Sequence, residues 1–237
     1  MLEVRGLRAG YGLSQVLDGV DVEVPDGTFV AILGRNGMGK TTLCRSIMSL
    51  DPPSVSEGSI AYDGVELTGL APHRVARAGL GYVPQGRHVF GSLDVVKKLT
   101  VAAREGSNGG GWTLERVWEA FPRLHERRRN DAGQLSGGEQ QMLAIARALM
   151  TNPTLLIMDE PSEGLAPIVV EAVAEQLEQL KQGAMALLLV EQNYSLAIRL
   201  ADIVYVLENG KVVFRGSADE LEADDEVKRR YLGVGVA

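Results

Sequence analysis

Apolar and polar positions alternate through residues 2–33 in several short runs, with Val16, Leu17, Val20, Val22 and Val24 among them, and Pro25-Asp26-Gly27 supplies a turn before the next run. A period of two is what a half-buried strand needs, so this region predicts an antiparallel β flank. The run Phe29–Leu33 is unbroken, as a strand covered on both faces requires, and the spacing over residues 43–50 suits a helix. Asp51-Pro52-Pro53 stops that helix; residues 58–62 and Val65 read as strand around an Asp63-Gly64 turn. Pro72 opens a short helix that Gly79 closes, and a strand over 80–83 ends at Pro84-Gln85-Gly86.

The second half carries a second unbroken apolar run at 154–158, then a helix at 167–182, a strand at 185–190, a helix at 193–201 and a strand at 203–207. Strands alternating with helices imply a parallel sheet covered on both faces. Glu208-Asn209-Gly210-Lys211 reads as a hairpin turn, with short helices beyond it. Residues 94–150 break the alternation. Helical patterns at 94–104, 113–121 and 139–150 are joined by loops, one of them the Gly-rich linker at 105–112, and no strand pattern intervenes. The expectation is one domain over 1–237: an α/β core at about 1–90 and 153–237, with a helical subdomain inserted at about 91–152.

Composition narrows the function classes. A 237-residue chain that is 45% hydrophobic can bury a sizeable core, and a net charge of −7 argues against a nucleic-acid partner. The one basic cluster, 123–129, has no interleaved aromatics for base stacking and reads as a solvated helix face, with contact to membrane headgroups or to a partner at the membrane as the alternative. The single Cys44 excludes an internal disulfide and falls in the first helix, where packing is its expected role. Met1-Leu2-Glu3-Val4-Arg5-Gly6 lacks a charged-then-apolar secretion pattern, and no apolar run is long enough to span a bilayer.

Chemistry concentrates in three motifs. Residues 34–42, "GRNGMGKTT", lie between a predicted buried strand and a helix, the context a phosphate-binding loop needs. There the glycines let successive N–H groups and a helix N-terminus face one anion. Lys40 can reach the β- and γ-phosphates of a nucleotide and the Thr41 hydroxyl can ligate Mg²⁺, while Asn36, Gly37, Gly39 and Thr42 complete the loop. Asp159 and Glu160 end the second buried strand. They could cap it, but beside a phosphate loop Asp159 is the expected Mg²⁺ holder and Glu160 the group that polarises the attacking water. Ser136-Gly137-Gly138 opens a helix and offers a second anion site, which is economically explained if two chains face each other and each closes over the other's nucleotide. Gln85 ends a strand at the edge where parallel sheets bind ligands, and Tyr11, in a Gly-rich loop, is either a packing residue or a stacking face for a purine.

This ordered set resembles the ATP-binding cassette (ABC) ATPases over nearly the whole chain: "GRNGMGKTT" the Walker A loop, Gln85 the Q-loop, "LSGGEQQ" (135–141) the signature, "LLIMDE" (155–160) Walker B, and Tyr11 the adenine-stacking aromatic. The resemblance implies a P-loop NTPase fold, ATP and Mg²⁺ as ligands, Thr41, Gln85 and Asp159 at the metal, and Glu160, Gln85 and Gln192 at the catalytic centre. "FPRLHERR" (121–128), "SGGEQQMLAIARALM" (136–150), "DEPSEGLAP" (159–167), "LLVEQN" (188–193), "LADIVYVLENG" (200–210) and "YLG" (231–233) resemble the ATPase subunits of branched-chain amino-acid importers, with urea and amide importers close behind. That implies pairing with a second, different ATPase subunit, or with a copy of this chain in isolation. It also implies two membrane permease subunits, an external substrate-binding protein and a place at the cytoplasmic face of the cell membrane. Departures accompany the match: Gln192 replaces the switch His, Ala166 replaces the D-loop Asp, and Asp94 and Lys97-Lys98 replace a Thr and acidic residues in 93–104. Long coiled-coil insertions, zinc motifs and a second cassette, the marks of non-transport relatives, are not present; export rather than import remains open at this point.

Overall fold

In the computed structural model, residues 1–86, 93–105, 111–181, 183 and 185–233 are described. The alternating N-terminal region forms β1 (Leu2–Tyr11) and β2 (Ser14–Val24), which pair antiparallel with Leu2 opposite Val24 and Val4 opposite Val22. On its other edge β1 pairs antiparallel with β4 (Ser54–Tyr62), which carries the short β5 (Val65–Glu66). The sheet order is β2-β1-β4-β5. Leu2, Val4, Leu7 and Ala9 point to one buried face, which packs with Leu43, Cys44 and Ile47 of α1 (Lys40–Ile47). Cys44 is therefore a core residue, and burial, with the nearby Asp159 and Glu160 carboxylates, pushes its thiol well above its ordinary range.

The unbroken runs form the centre of a six-stranded sheet. Its members are β3 (Phe29–Leu33), β6 (Leu80–Val83), β7 (Leu155–Asp159), β8 (Ala186–Glu191), β9 (Ile203–Glu208) and β10 (Lys211–Gly216), in the order β10-β9-β3-β8-β7-β6. All are parallel except β10, which returns on β9 through Asn209 and Gly210, both at positive φ, as a type I′ hairpin requires. Residues of one strand divide between two cores. Leu155, Ile157, Leu188 and Val190 face α1 and the antiparallel sheet, whereas Leu156, Met158, Leu187 and Leu189 face the helices of the other side. With both faces covered, no polar position is left to mark the alternation.

That other side holds α3 (Val95–Ala102), α4 (Leu114–Ala120), α5 (Pro122–Glu126), α6 (Gly137–Leu149) and α7 (Pro167–Lys181), while α2 (Pro72–Arg77) precedes β6 and α8 (Tyr194–Leu200) and α9 (Ala218–Ala223) close the C-terminal side. Several boundaries differ from expectation for local reasons. α1 starts three residues early because its first turn completes the phosphate loop, and Ser49 at positive φ ends it short of Leu50. β4 begins at Ser54 because its first residues, though partly polar, pair with Gly10 and Ala9. Pro122 divides the 113–121 pattern from a separate α5, since the residue before proline leaves helical geometry. α6 begins at Gly137 rather than 139 because Ser136 and Glu139 form a capping box over the two glycines. The basic cluster lies on and just after α5, with Leu124 turned into the core and Arg123 and Arg127 paired with Glu126 and Glu139. Most of the Gly-rich linker, residues 106–110, lies outside the described residues.

Candidate functional site

Parallel register brings four strand ends to one edge. Leu33 pairs with Glu191, Asp159 with Val190 and Val83 with Met158, so the residues following β3, β6, β7 and β8 emerge side by side. These are the phosphate loop, Gln85, Glu160 and Gln192, widely separated in sequence and gathered by topology alone.

The loop itself needs glycine where the chain turns into α1. Gly39 sits at φ 104, and a Cβ there would come within 2.7 Å of Leu17 Cδ2. Asn36 and Gly37 are exposed and open to a ligand. Lys40 is only 3% exposed. Its ammonium donates to the carbonyls of Gly34 and Arg35 at 2.8 and 2.9 Å and pairs with Glu160 Oε1 at 2.8 Å. This cation is thus fully engaged by the groups around it.

Hard oxygens converge one residue further on. Thr41 Oγ1 lies 3.1 Å from Asp159 Oδ1 and 3.4 Å from Gln85 Oε1. A hydroxyl, an amide oxygen and one carboxylate fit Mg²⁺, which is held through one or two carboxylates with substrate phosphates and water and does not need an all-protein cage. Asp159 is buried, and desolvation, with the charge of Glu160 adding to it, raises its carboxyl to about 6 against the hydrogen bonds of Thr41 and Tyr82. Glu160 stands at positive φ, its N–H held by Val190 O at 2.8 Å, and its Oε2 accepts from Gln85 Nε2 at 3.1 Å. The same amide also donates to Glu163 at 2.9 Å.

Other candidates are placed less directly. Tyr11 ends β1 instead of lying in a loop, 38% exposed, with its hydroxyl 3.4 Å from the Thr42 hydroxyl at the start of α1. Its ring is thus tethered beside the phosphate loop. Ser136 and Gly138 line a separate cavity of about 460 Å³ with Met142 and Val169 of α6 and α7, away from the Lys40 loop of the same chain. Gly138 also has a packing reason: a Cβ would meet Val169 Cγ1 at 2.5 Å. Gln192 is exposed at the end of β8, beside Glu160 in a cavity of about 310 Å³. Sequence reasoning missed two residues there, Glu191 and Ser162. The signal was present, since a charged residue closing a buried apolar run is the same pattern that marked Asp159.

A strand, phosphate loop and helix at the C-terminal edge of a parallel sheet, with a carboxylate on the loop's lysine, define a P-loop ATPase. The chain belongs to the ABC transporter family, whose model matches residues 17–163. It is 43% identical to the high-affinity branched-chain amino acid transport ATP-binding protein BraG of Pseudomonas aeruginosa, over 98% of this chain and 100% of that one. With the probable branched-chain amino acid transport ATP-binding protein LivF of Archaeoglobus fulgidus it shares 35% identity over 99% of each. Among solved structures, the ADP conformation of an ATP-binding cassette of an ABC transporter superposes with a TM-score of 0.82 at 25% identity, covering 96% of each chain. No helix among the described residues is long and apolar enough to cross a membrane.

Proposed function

We propose that this chain is the ATP-hydrolysing subunit of an importer for branched-chain, hydrophobic amino acids. The observation that carries this reading is the end-to-end 43% identity with a relative named for that transport, joined to a complete ATPase edge in this chain. The whole of 1–237 acts as one cassette, core 1–90 and 153–237 with a helical subdomain at 91–152. It works at the cytoplasmic face of the membrane with two permease subunits, a second ATPase subunit and an external binding protein, and takes no nucleic acid.

The steps follow from groups already in contact. ATP stacks its base on Tyr11, and its phosphates enter the loop of Asn36, Gly37 and Gly39 under the Thr41 and Thr42 end of α1. Lys40 exchanges Glu160 for the β- and γ-phosphates. Glu160, released from the ammonium but still held by Gln85, accepts a proton from the attacking water. Bound at Thr41, Gln85 and Asp159, Mg²⁺ would neutralise charge on the transferring phosphoryl group. Gln192 donates to the γ-phosphate, and the N-terminus of the partner's signature helix closes the site from the other side, as Ser136, Gly137 and Gly138 do for the partner's nucleotide. Because Gln192 lacks the positive charge of a protonated histidine, the site built on Lys40 is the slower of the two and serves mainly to hold the dimer closed.

The experiment is affinity purification of the tagged chain from its own membranes, identification of the subunits that come with it, and uptake of leucine, urea and short amides by that complex in proteoliposomes. ATP-dependent leucine uptake, abolished by Lys40→Ala, is the expected result. Uptake of urea or an amide in its place, or outward transport of a lipid, overturns the substrate assignment. Absence of any membrane subunit overturns the transporter role.

A further inference from the structure

Glu191 is the last residue of β8 and only 1% exposed. Its carboxylate collects four donors. Oε1 accepts from the Ser162 N–H at 2.9 Å; Oε2 accepts from the Ser162 hydroxyl at 2.9 Å, the Gln192 N–H at 3.1 Å and the Asn193 N–H at 3.0 Å. Burial raises its carboxyl above the ordinary range, and those same hydrogen bonds oppose the rise. Burying a carboxylate is unfavourable unless it is hydrogen-bonded, and here both of its oxygens accept, Oε1 one bond and Oε2 three.

The two segments it joins are 29 residues apart in sequence. One is the turn that begins at Glu160; the other carries Gln192. They line the same small cavity. The backbone also ties them, through the Glu160 N–H to Val190 O. The Gln192 side chain makes no hydrogen bond of its own among the described residues, so its direction depends on its backbone, which Glu191 holds.

We propose that Glu191 is a positioning residue for hydrolysis: it clamps the turn after Glu160 to the backbone of Gln192, and so keeps the two groups that flank the γ-phosphate in fixed relation. This rests on the reading of Glu160 and Gln192 as catalytic. A carboxylate suits the task because it is acceptor-only, with about four lone-pair sites facing four donors. Glutamine at this position turns an NH₂ toward N–H groups and leaves part of the set without an acceptor. The phosphate loop makes none of these bonds, so loss of the clamp should disturb the geometry of hydrolysis more than the binding of nucleotide.

The test uses the assembled transporter complex with the partner ATPase's catalytic acid disabled, so that only the Lys40 site turns over. Glu191→Gln, Gln192→Ala and the double variant are compared by single-turnover hydrolysis and by ATP titration. Expected is a loss of roughly tenfold in rate from Glu191→Gln, with the ATP dissociation constant changed less than about twofold, and no further loss when it is added to Gln192→Ala. Ser162→Ala, which removes one donor and leaves the fold's charges untouched, should lose about two- to threefold on the same pattern and serves if Glu191→Gln does not fold. Equal losses from Glu191→Gln in both backgrounds, or an ATP affinity that falls with the rate, mean a structural role and overturn the proposal. An unimpaired Gln192→Ala overturns it as well. Failure of the catalytic reading itself shows differently, as single-turnover hydrolysis by a Glu160→Gln control at the wild-type rate.

Discussion

Replacing Glu160 by Gln should do two opposite things, tightening nucleotide binding while nearly stopping hydrolysis. Glu160 is the counter-ion of Lys40, and in the proposed mechanism the phosphates displace it. At 2.8 Å and an effective dielectric near 20, Coulomb's law gives about 6 kcal/mol for the pair. Most of that is offset, because both groups are drawn out of water and because the ammonium keeps the carbonyls of Gly34 and Arg35 when the carboxylate goes. A residue of about 1.4 kcal/mol in favour of nucleotide is roughly tenfold in affinity. Gln retains the acceptor that Gln85 uses, so the site keeps its shape, but it cannot take a proton from water, and the rate should fall by about two orders of magnitude or more. The assay is titration with a fluorescent ATP analogue without Mg²⁺, which isolates the Lys40 contacts, followed by single-turnover hydrolysis with Mg²⁺. An unchanged dissociation constant would refute the competition between carboxylate and phosphate, and near-normal hydrolysis would remove Glu160 from the proton-accepting role.

Lys40→Ala should weaken ATP binding by at least tenfold and also lower the unfolding midpoint, because Glu160 is left buried with its cation gone; calorimetry and thermal melts report the two effects separately. Tyr11→Ala should raise the nucleotide dissociation constant several-fold while Tyr11→Phe stays within about twofold, since the hydroxyl contact to Thr42 is long and the ring face carries the stacking. Equal losses from both would assign the role to the hydroxyl. Asp159 gives a pH signature: with its folded carboxyl raised to about 6, the folded chain keeps a proton that the unfolded chain has already released. This group's contribution to stability is therefore present at low pH and lost as pH rises through that value, a component of the metal-free denaturation profile that Asp159→Asn should abolish. Gln192→His should speed single-turnover hydrolysis at the Lys40 site, and no change would make the glutamine a full substitute.

How far the sequence carries can be seen element by element. The order of strands and helices was readable because residues 29–33 and 155–158 are apolar without interruption and are separated by glycine, proline and acidic punctuation. Lys40, Thr41, Asp159 and Glu160 could be singled out as candidates because phosphate and metal chemistry constrain residue type and spacing together. What was not readable is nonlocal. Nothing in the letters says that Glu160 neutralises Lys40, or that Gln85 reaches Glu163 as well, since each contact depends on which strands are neighbours in the sheet. Glu191 closes an apolar run as Asp159 does, but its bonds to Ser162, 29 residues away, depend on how β7 and β8 lie together. The start of α6 was misread because glycines are poor helix formers, and only the reciprocal bonds of Ser136 and Glu139 draw them into the first turn.

The closeness of Gly138 to Val169 has a mechanical side. With no side chain between them, the first turn of α6 rests directly on α7, and α7 begins just after the turn that starts at Glu160. Close-packed contacts of this kind have no slack to absorb a displacement. A displacement of the turn after Glu160 should therefore be felt at Ser136, and a bulkier residue at position 138 would act as a shim, shifting the resting position of that strut without touching Lys40 or Asp159.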